Sequence, residues 1–133
     1  MTYYFAPMRE STMQRECVKW FGYRFPKVFM FAPMNEGVRG KVKGKGGMFS
    51  PEGTKAKAMG KRAGVADLMI LAPRQGYHGL FVELKTPKGR QTREQKAFEA
   101  AVTAEGYRYL VIRSVDEFMI ETEKYLLGES VPV

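Results

Sequence analysis

The sequence predicts an α/β fold in which helices flank a mixed central β-sheet. Two short apolar runs joined by a glycine-containing turn, at about residues 66–85, are typical of a β-hairpin. Helical periodicity before the hairpin and two capping-box motifs after it predict helices on both sides. With 133 residues, 44% of them apolar, we expect one domain over residues 1–133.

The first helix is predicted at residues 9–25 and ends before Pro26. Its inward stripe consists of Met13, Cys17, Trp20, Phe21 and Phe25. Glu10 and Gln14 are four residues apart and lie on the same side as this stripe. Glu10 is therefore a candidate for an inward-facing carboxylate. The alternative is that Glu10 only favours the positive end of the helix dipole.

A strand is predicted at the apolar run 28–32, and a basic, flexible segment follows at 35–62. Between residues 39 and 62, eight basic residues face a single acid, Glu52, which leaves an excess of seven positive charges. The basic residues are Arg39, Lys41, Lys43, Lys45, Lys55, Lys57, Lys61 and Arg62. Its glycines keep the front half of this segment flexible.

This basic segment suits contacts to a DNA backbone, because lysine and arginine neutralise phosphates and glycine lets the main chain approach closely. The net charge of +8 on the whole chain also favours a polyanionic partner. Phe49 is the one aromatic residue of the segment, which favours duplex contacts over base stacking. A solvated loop that only aids solubility is the alternative. Ser50 and Pro51 can begin a short helix here, although Gly53 and Gly60 weaken that prediction.

Three charged residues lie on the strands of the predicted hairpin: Asp67 on its first strand, and Glu83 and Lys85 at the end of its second. Because strand side chains alternate, Phe81, Glu83 and Lys85 share one face. Charges on a buried strand are costly without partners, so Asp67 is the candidate partner. Two carboxylates suit Mg²⁺ or Mn²⁺ acting on a phosphodiester, and the lysine can stabilise charge on phosphate. An ordinary hairpin with an ion pair at its rim explains the same residues.

Two capping boxes define the elements after the hairpin. Thr-x-x-Gln at 92–95 opens a helix that continues to about residue 105, and Ser-x-x-Glu at 114–117 opens a last helix to about residue 127. The run 107–113 between them predicts a strand. The predicted order is therefore helix, strand, basic segment, strand, strand, helix, strand, helix.

Polar residues follow the hairpin directly. Lys88 and Arg90 lie in a basic turn just after Lys85 and are further candidate DNA contacts. Gln95 begins the next helix near the end of the strand that carries Glu83, where it can orient water or phosphate. The alternative is that Gln95 only completes the capping box.

Other chemistries are disfavoured by composition. Cys17 and His78 are the only residues of their kinds, which is too few for a zinc site, and Cys17 falls on the apolar stripe. The chain has no phosphate-binding GxxxxGK[ST] motif, so we expect no nucleotide cofactor. It has no apolar run of membrane-span length and no signal peptide, so we expect no membrane association and a cytoplasmic location.

Asp67 followed by Glu83-Leu84-Lys85 resembles the core of the PD-(D/E)XK nucleases. A longer string resembles the VRR-NUC family in its small stand-alone phage and bacterial form. The matching residues are Arg62, Gly64, Val65, Asp67 and Leu68, then Gly76 to Gly89, then Glu94, Gln95, Gly106 and Tyr107. The likeness covers about residues 10–126. The family commonly has proline before the aspartate, where this chain has Ala66, at a position that shapes the backbone and is not a ligand.

This resemblance implies a PD-(D/E)XK restriction-endonuclease-like fold and a Mg²⁺- or Mn²⁺-dependent endodeoxyribonuclease. The implied metal ligands are Asp67, Glu83, the main-chain carbonyl of Leu84, and Glu10. The family carries a glutamate four residues before a glutamine on its first helix, which Glu10 and Gln14 match. Lys85 would position or activate the attacking water, with Gln95 assisting.

The stand-alone members that the chain resembles resolve four-way (Holliday) junctions in DNA as homodimers, which implies a role in phage or bacterial recombination and repair. Two other functions stay open: a non-catalytic basic DNA-binding protein, and a restriction-type or general deoxyribonuclease of the same fold. The complete set of Asp67, Glu83 and Lys85 argues against the first. The small size of the chain and the absence of an obvious base-reading element argue against the second.

Overall fold

The computed structural model describes residues 8–34 and 51–128, which form a four-stranded mixed sheet flanked by helices. The elements are α1 (Glu10–Arg24), β1 (Met30–Phe31), α2 (Pro51–Ala58), β2 (Leu68–Ile70), β3 (Leu80–Leu84), α3 (Arg93–Ala104), β4 (Arg108–Ile112) and α4 (Val115–Leu127). The order of elements and the α/β class agree with the sequence prediction. β1 is shorter than the strand predicted at 28–32.

The sheet has the strand order β1-β2-β3-β4. β1 and β2 pair antiparallel, and so do β2 and β3, which confirms the hairpin. β3 and β4 pair parallel because α3 connects them as a crossover helix. β3 therefore has a neighbour on each side, and all five of its residues are buried.

A larger core lies on the side of the sheet covered by α1 and α4. Leu80, Val82 and Leu84 of β3 all point into it. The helices contribute Met13, Cys17, Phe21, Phe118, Tyr125 and Leu126. Three of these are the innermost residues of the stripe predicted for the first helix, so its inward face was assigned correctly.

A smaller core lies on the opposite side of the sheet, under α3. Phe81 of β3 meets Phe98 of α3 edge to face, with ring centroids 5.1 Å apart, and Tyr109 of β4 packs beside them. Glu83 and Lys85 follow Phe81 at intervals of two residues and are both buried. They therefore lie on the α3 side of the sheet, as the alternation of the sequence predicts.

A Schellman motif ends α2 at Gly60. The Lys61 N–H donates to the Ala56 carbonyl at 3.0 Å, and the Gly60 N–H donates to the Lys57 carbonyl at 2.9 Å. Gly60 has a φ of 92°, which favours glycine. The expectation that Gly60 weakens the helix is therefore wrong, because this glycine lies just beyond the helix and terminates it.

Gly64, three residues before Asp67, lies against the first turn of α3. Its φ is 84°, and a Cβ atom there would lie 2.4 Å from the Glu94 carbonyl carbon and 2.8 Å from the Gln95 nitrogen. This close approach needs a residue without a side chain. It fixes the segment that leads into Asp67 against the helix that carries Gln95.

We predict that Gly64→Ala lowers the free energy of unfolding by about 2–4 kcal/mol, because it combines left-handed backbone strain with a main-chain clash. Gly60→Ala is the matched control, since it has the same sign of φ but open space around its Cβ. It should cost only about 1–2 kcal/mol. Urea unfolding of both variants measures the difference. Equal losses would show that the close approach of Gly64 to α3 contributes nothing.

Candidate active site

Asp67 and Glu83 lie opposite each other at one end of the β2–β3 hairpin. Leu68 pairs with Val82, so the antiparallel register places Asp67 across from Glu83 one step further along. Asp67 is half-buried, and only 2% of the Glu83 surface is exposed. The Leu84 main-chain N–H donates a 2.7 Å hydrogen bond to Asp67 Oδ2. The structure thus brings together the two carboxylates that the sequence suggests as metal ligands.

The main chain of Leu84 faces the same carboxylate. Its N–H points to Asp67, and the N–H and C=O of one strand residue point to the same side of the strand. The next N–H, that of Lys85, points the other way and donates to the Ile112 carbonyl at 2.9 Å. The Leu84 carbonyl is therefore directed toward the Asp67 side of β3.

Two donors from different elements hold the Glu83 carboxylate. Gln95 Nε2 donates to Glu83 Oε1 at 2.9 Å, and the Tyr109 hydroxyl donates to Glu83 Oε2 at 3.3 Å. Gln95 also completes the capping box, because its Oε1 accepts from the Thr92 N–H at 2.9 Å. The two interpretations of Gln95 are thus compatible: its oxygen caps α3 while its nitrogen contacts Glu83.

The electrostatics of this site are dominated by buried Glu83 and the neighbouring Asp67. Burial is the largest cause that raises the pKa of Glu83 from 4.5 to about 8, and the charge of Asp67 and a hydrogen bond to it raise it further. The charge of Lys85 and the hydrogen bond from Tyr109 lower the Glu83 pKa, but by less. A divalent cation between the carboxylates would remove their repulsion, so this oxygen donor set fits a hard metal ion.

Lys85 is the second fully buried charged residue of the site, after Glu83, with 8% of its surface exposed. It follows Glu83 by two residues on the same face and lies close enough for its charge to lower the Glu83 pKa. Among the residues that the structure describes, no acidic group lies within 4.0 Å of its ammonium nitrogen. Its charge is therefore not consumed by a short ion pair.

Glu10 lies apart from this pair in the described structure. It is the first residue of α1 and is exposed to solvent. Within residues 8–34 and 51–128, no three acidic, histidine or cysteine side chains are grouped so that they could hold a metal ion. A role for Glu10 as a ligand stays a prediction.

Cys17 and His78 contribute to the packing and hydrogen bonding of the fold. Burial, followed by the charge of Glu16, raises the pKa of the Cys17 thiol to about 12, so it is not a nucleophile at neutral pH. His78 lies in the connection between β2 and β3. Its main-chain N–H donates to the Gly106 carbonyl at 3.0 Å, and its imidazole ring packs edge to face against the Tyr107 ring.

Basic side chains are exposed on the segments that precede and follow the hairpin along the chain. Lys55, Lys57 and Arg62 are exposed on and after α2, and Lys61 is half-buried. Lys88 and Arg90 are exposed in the turn that follows Lys85. The predicted DNA contacts Arg39, Lys41, Lys43 and Lys45 lie outside the described residues.

Two residues of the site region are not among the candidates that the sequence predicts. Tyr109 contacts Glu83, and burial, together with the charge of Glu83, raises the pKa of its hydroxyl so that it remains a hydrogen-bond donor. Arg113 Nη1 donates to the carbonyls of Thr86 and Gly89, each at 2.7 Å, and so holds the turn that carries Lys88. Both residues act across the parallel β3–β4 pair, which motif spacing does not reveal.

The VRR-NUC domain model matches residues 42–116 of the chain, more than half of its length. The chain belongs to the VRR-NUC family. A solved structure described as a VRR-NUC domain protein is similar over 92% of this chain and 92% of its own, with a TM-score of 0.68 and 27% sequence identity. No curated protein matches the chain.

Membership of the VRR-NUC family confirms the predicted PD-(D/E)XK-like fold and identifies a nuclease domain. The matched region contains Asp67, Glu83, Lys85 and Gln95. Ala66, which stands where VRR-NUC proteins commonly have proline, is buried in the smaller core. None of the helices in residues 8–34 and 51–128 has the length and apolar character that a bilayer crossing requires.

We predict that Glu83→Gln stabilises the metal-free protein at neutral pH. The folded protein binds the Glu83 proton more tightly than the unfolded chain, so wild-type stability falls as the pH rises from about 4.5 to about 8. Glutamine keeps the shape without the charge, so the variant should gain about 1–3 kcal/mol near pH 8 and nothing near pH 4.

Chemical denaturation in EDTA across this pH range measures the effect. The exposed Glu105→Gln is the matched control and should follow the wild type. A wild type that gains stability relative to Glu83→Gln between pH 5 and pH 8 would contradict the raised pKa.

Proposed function

We propose that the chain is a divalent-metal-dependent endodeoxyribonuclease that hydrolyses phosphodiester bonds in branched duplex DNA, four-way junctions in particular. The observation that carries this proposal is the buried carboxyl group of Glu83 beside the half-buried Asp67 at the end of the hairpin, with buried Lys85 on the same face. A carboxylate buried beside a second carboxylate is costly for a protein unless a cation compensates the charge.

Asp67, Glu83 and the Leu84 carbonyl would hold a Mg²⁺ or Mn²⁺ ion, and Glu10 is proposed to join them from α1. When bound, such an ion polarises the phosphodiester and lowers the pKa of a bound water. Burial first, and the charge of Asp67 second, raise the Glu83 pKa, and a bound cation would favour the ionised carboxylate against both effects.

Lys85 and Gln95 have different proposed roles. The Lys85 ammonium stabilises negative charge that develops on the phosphate and orients the attacking water. The amide nitrogen of Gln95 donates to Glu83, and its amide oxygen accepts from the Thr92 N–H. Gln95 therefore assists by holding Glu83, and the second hydrogen of its amide nitrogen stays available to orient water or phosphate.

The exposed basic residues are the proposed DNA contacts. Lys88 and Arg90 lie closest in sequence to the site, in the turn held by Arg113. The remaining contacts are Lys55, Lys57, Lys61 and Arg62, with Arg39, Lys41, Lys43 and Lys45 proposed from the sequence alone. Charges of this kind bind phosphates without reading bases, which suits an enzyme that selects DNA by shape.

The junction preference and a homodimer rest on the resemblance to stand-alone VRR-NUC proteins. Symmetry also favours a homodimer, because one site per chain must be doubled to cut two strands symmetrically. Each protomer would then contribute one complete Asp67, Glu83 and Lys85 set.

We predict that Lys85→Ala and Asp67→Asn each slow cleavage by at least about 100-fold and leave DNA binding within a few fold of wild type, because they remove transition-state stabilisation and metal ligation rather than the basic surface. The assay is cleavage of labelled four-way junction, fork and linear duplex with Mg²⁺, Mn²⁺ or EDTA, beside a binding titration.

Lys124→Ala is the matched control for the lost charge, because Lys124 is exposed on α4 and pairs with Glu121 at 3.7 Å. It should cleave as the wild type does. Wild-type protein that binds these DNAs but cuts none of them in either metal would contradict the proposed function.

A further inference from the structure

A chain of polar side chains runs from the flank of α3 to the Glu83 carboxylate. Gln91 Nε2 donates to Glu99 Oε1 at 3.0 Å and to the Tyr109 hydroxyl oxygen at 3.4 Å. The Tyr109 hydroxyl in turn donates to Glu83 Oε2 at 3.3 Å. Three of these side chains are absent from the catalytic set that the sequence and the family resemblance suggest.

The directions of these hydrogen bonds follow from chemistry. A carboxylate only accepts hydrogen bonds, so the Glu99 side chain selects the amide orientation of Gln91 that presents nitrogen and not oxygen. The Gln91 nitrogen donates a hydrogen bond to the Tyr109 hydroxyl oxygen. The hydroxyl proton is then left for Glu83, which is the remaining acceptor beside it.

Glu83 is consequently held through both of its oxygens by donors on two different elements. Gln95 comes from α3 and contacts Oε1, and Tyr109 comes from β4 and contacts Oε2. A single donor leaves the carboxylate free to rotate about its last bond, whereas two donors at separate oxygens define its plane. Asp67 lies across the hairpin, on the β2 side of Glu83.

We propose that Tyr109 is a positioning residue that holds the Glu83 carboxylate in its metal-binding orientation, and that Gln91 and Glu99 orient Tyr109. This inference rests on the proposed function, because it assigns a role toward the same metal ion. Partners that orient a metal ligand through a hydrogen bond contribute about 10- to 100-fold in metal affinity.

The test is the affinity of the DNA-free protein for Mn²⁺, measured by electron paramagnetic resonance of the unbound ion. Tyr109→Phe removes one oxygen atom and keeps the ring that packs against Phe98. We expect its Mn²⁺ dissociation constant to rise about 10-fold. Gln91→Met keeps the length of the side chain and removes the amide, and its dissociation constant should rise about threefold.

Tyr107→Phe is the matched control. Tyr107 lies two residues before Tyr109 on the same face and packs against Phe81. Within residues 8–34 and 51–128 its hydroxyl makes no hydrogen bond to another side chain or to the main chain. Its Mn²⁺ dissociation constant should therefore equal that of the wild type.

A Tyr109→Phe variant that binds Mn²⁺ as tightly as the wild type would overturn this inference and leave the proposed function intact. An equal loss in Tyr107→Phe and Tyr109→Phe would also overturn it, because the effect would then belong to packing. Wild-type protein that fails to bind Mn²⁺ would overturn the proposed function together with this role of Tyr109. Denaturation of each variant in EDTA, with one cooperative transition and at most a small drop in midpoint from the lost hydrogen bond expected, separates positioning from a general loss of structure.

Discussion

A buried carboxylate at the end of the central strand is the constraint around which this site is built. Glu83 must lie beside Asp67 because of the hairpin register, and it must lie on the α3 side because of the alternation along β3. Water is largely excluded there, so each oxygen needs a partner from the protein. Gln95 and Tyr109 supply those partners. Gln95 belongs to α3, which packs on β3, and Tyr109 belongs to β4, which pairs with β3.

The two cores make that constraint rigid. Leu80, Val82 and Leu84 anchor β3 in the larger core, while Phe81 anchors it in the smaller one. A strand fixed on both faces cannot turn Glu83 toward solvent without exposing apolar side chains, which costs about 1.5–3 kcal/mol for each large residue. The free energy that the cores supply therefore keeps the two carboxyl groups together. This is the usual way in which a protein maintains a site that is unfavourable by itself.

Much of this architecture could be predicted from the sequence, because the signals involved are local. Alternation gave the faces of β3, and the capping motifs placed the starts of α3 and α4. The partnership of Tyr109 with Glu83 could not be predicted, because it depends on which strand lies beside β3. Helical phase likewise puts Glu10 on one side of α1 but does not say how far that side lies from Asp67. The role of Gln95 could not be decided from the sequence for a different reason. The Thr-x-x-Gln motif is the same whether Gln95 only caps α3 or also contacts Glu83.

We propose that Asp67 and Glu83 hold a divalent metal ion together. An anomalous difference map from crystals grown with Mn²⁺, recorded above the manganese absorption edge, tests this most directly. We expect a peak within coordination distance of both carboxylates. Density at only one of them, or at neither, would contradict it and would leave the buried pair as a structural feature of the hairpin.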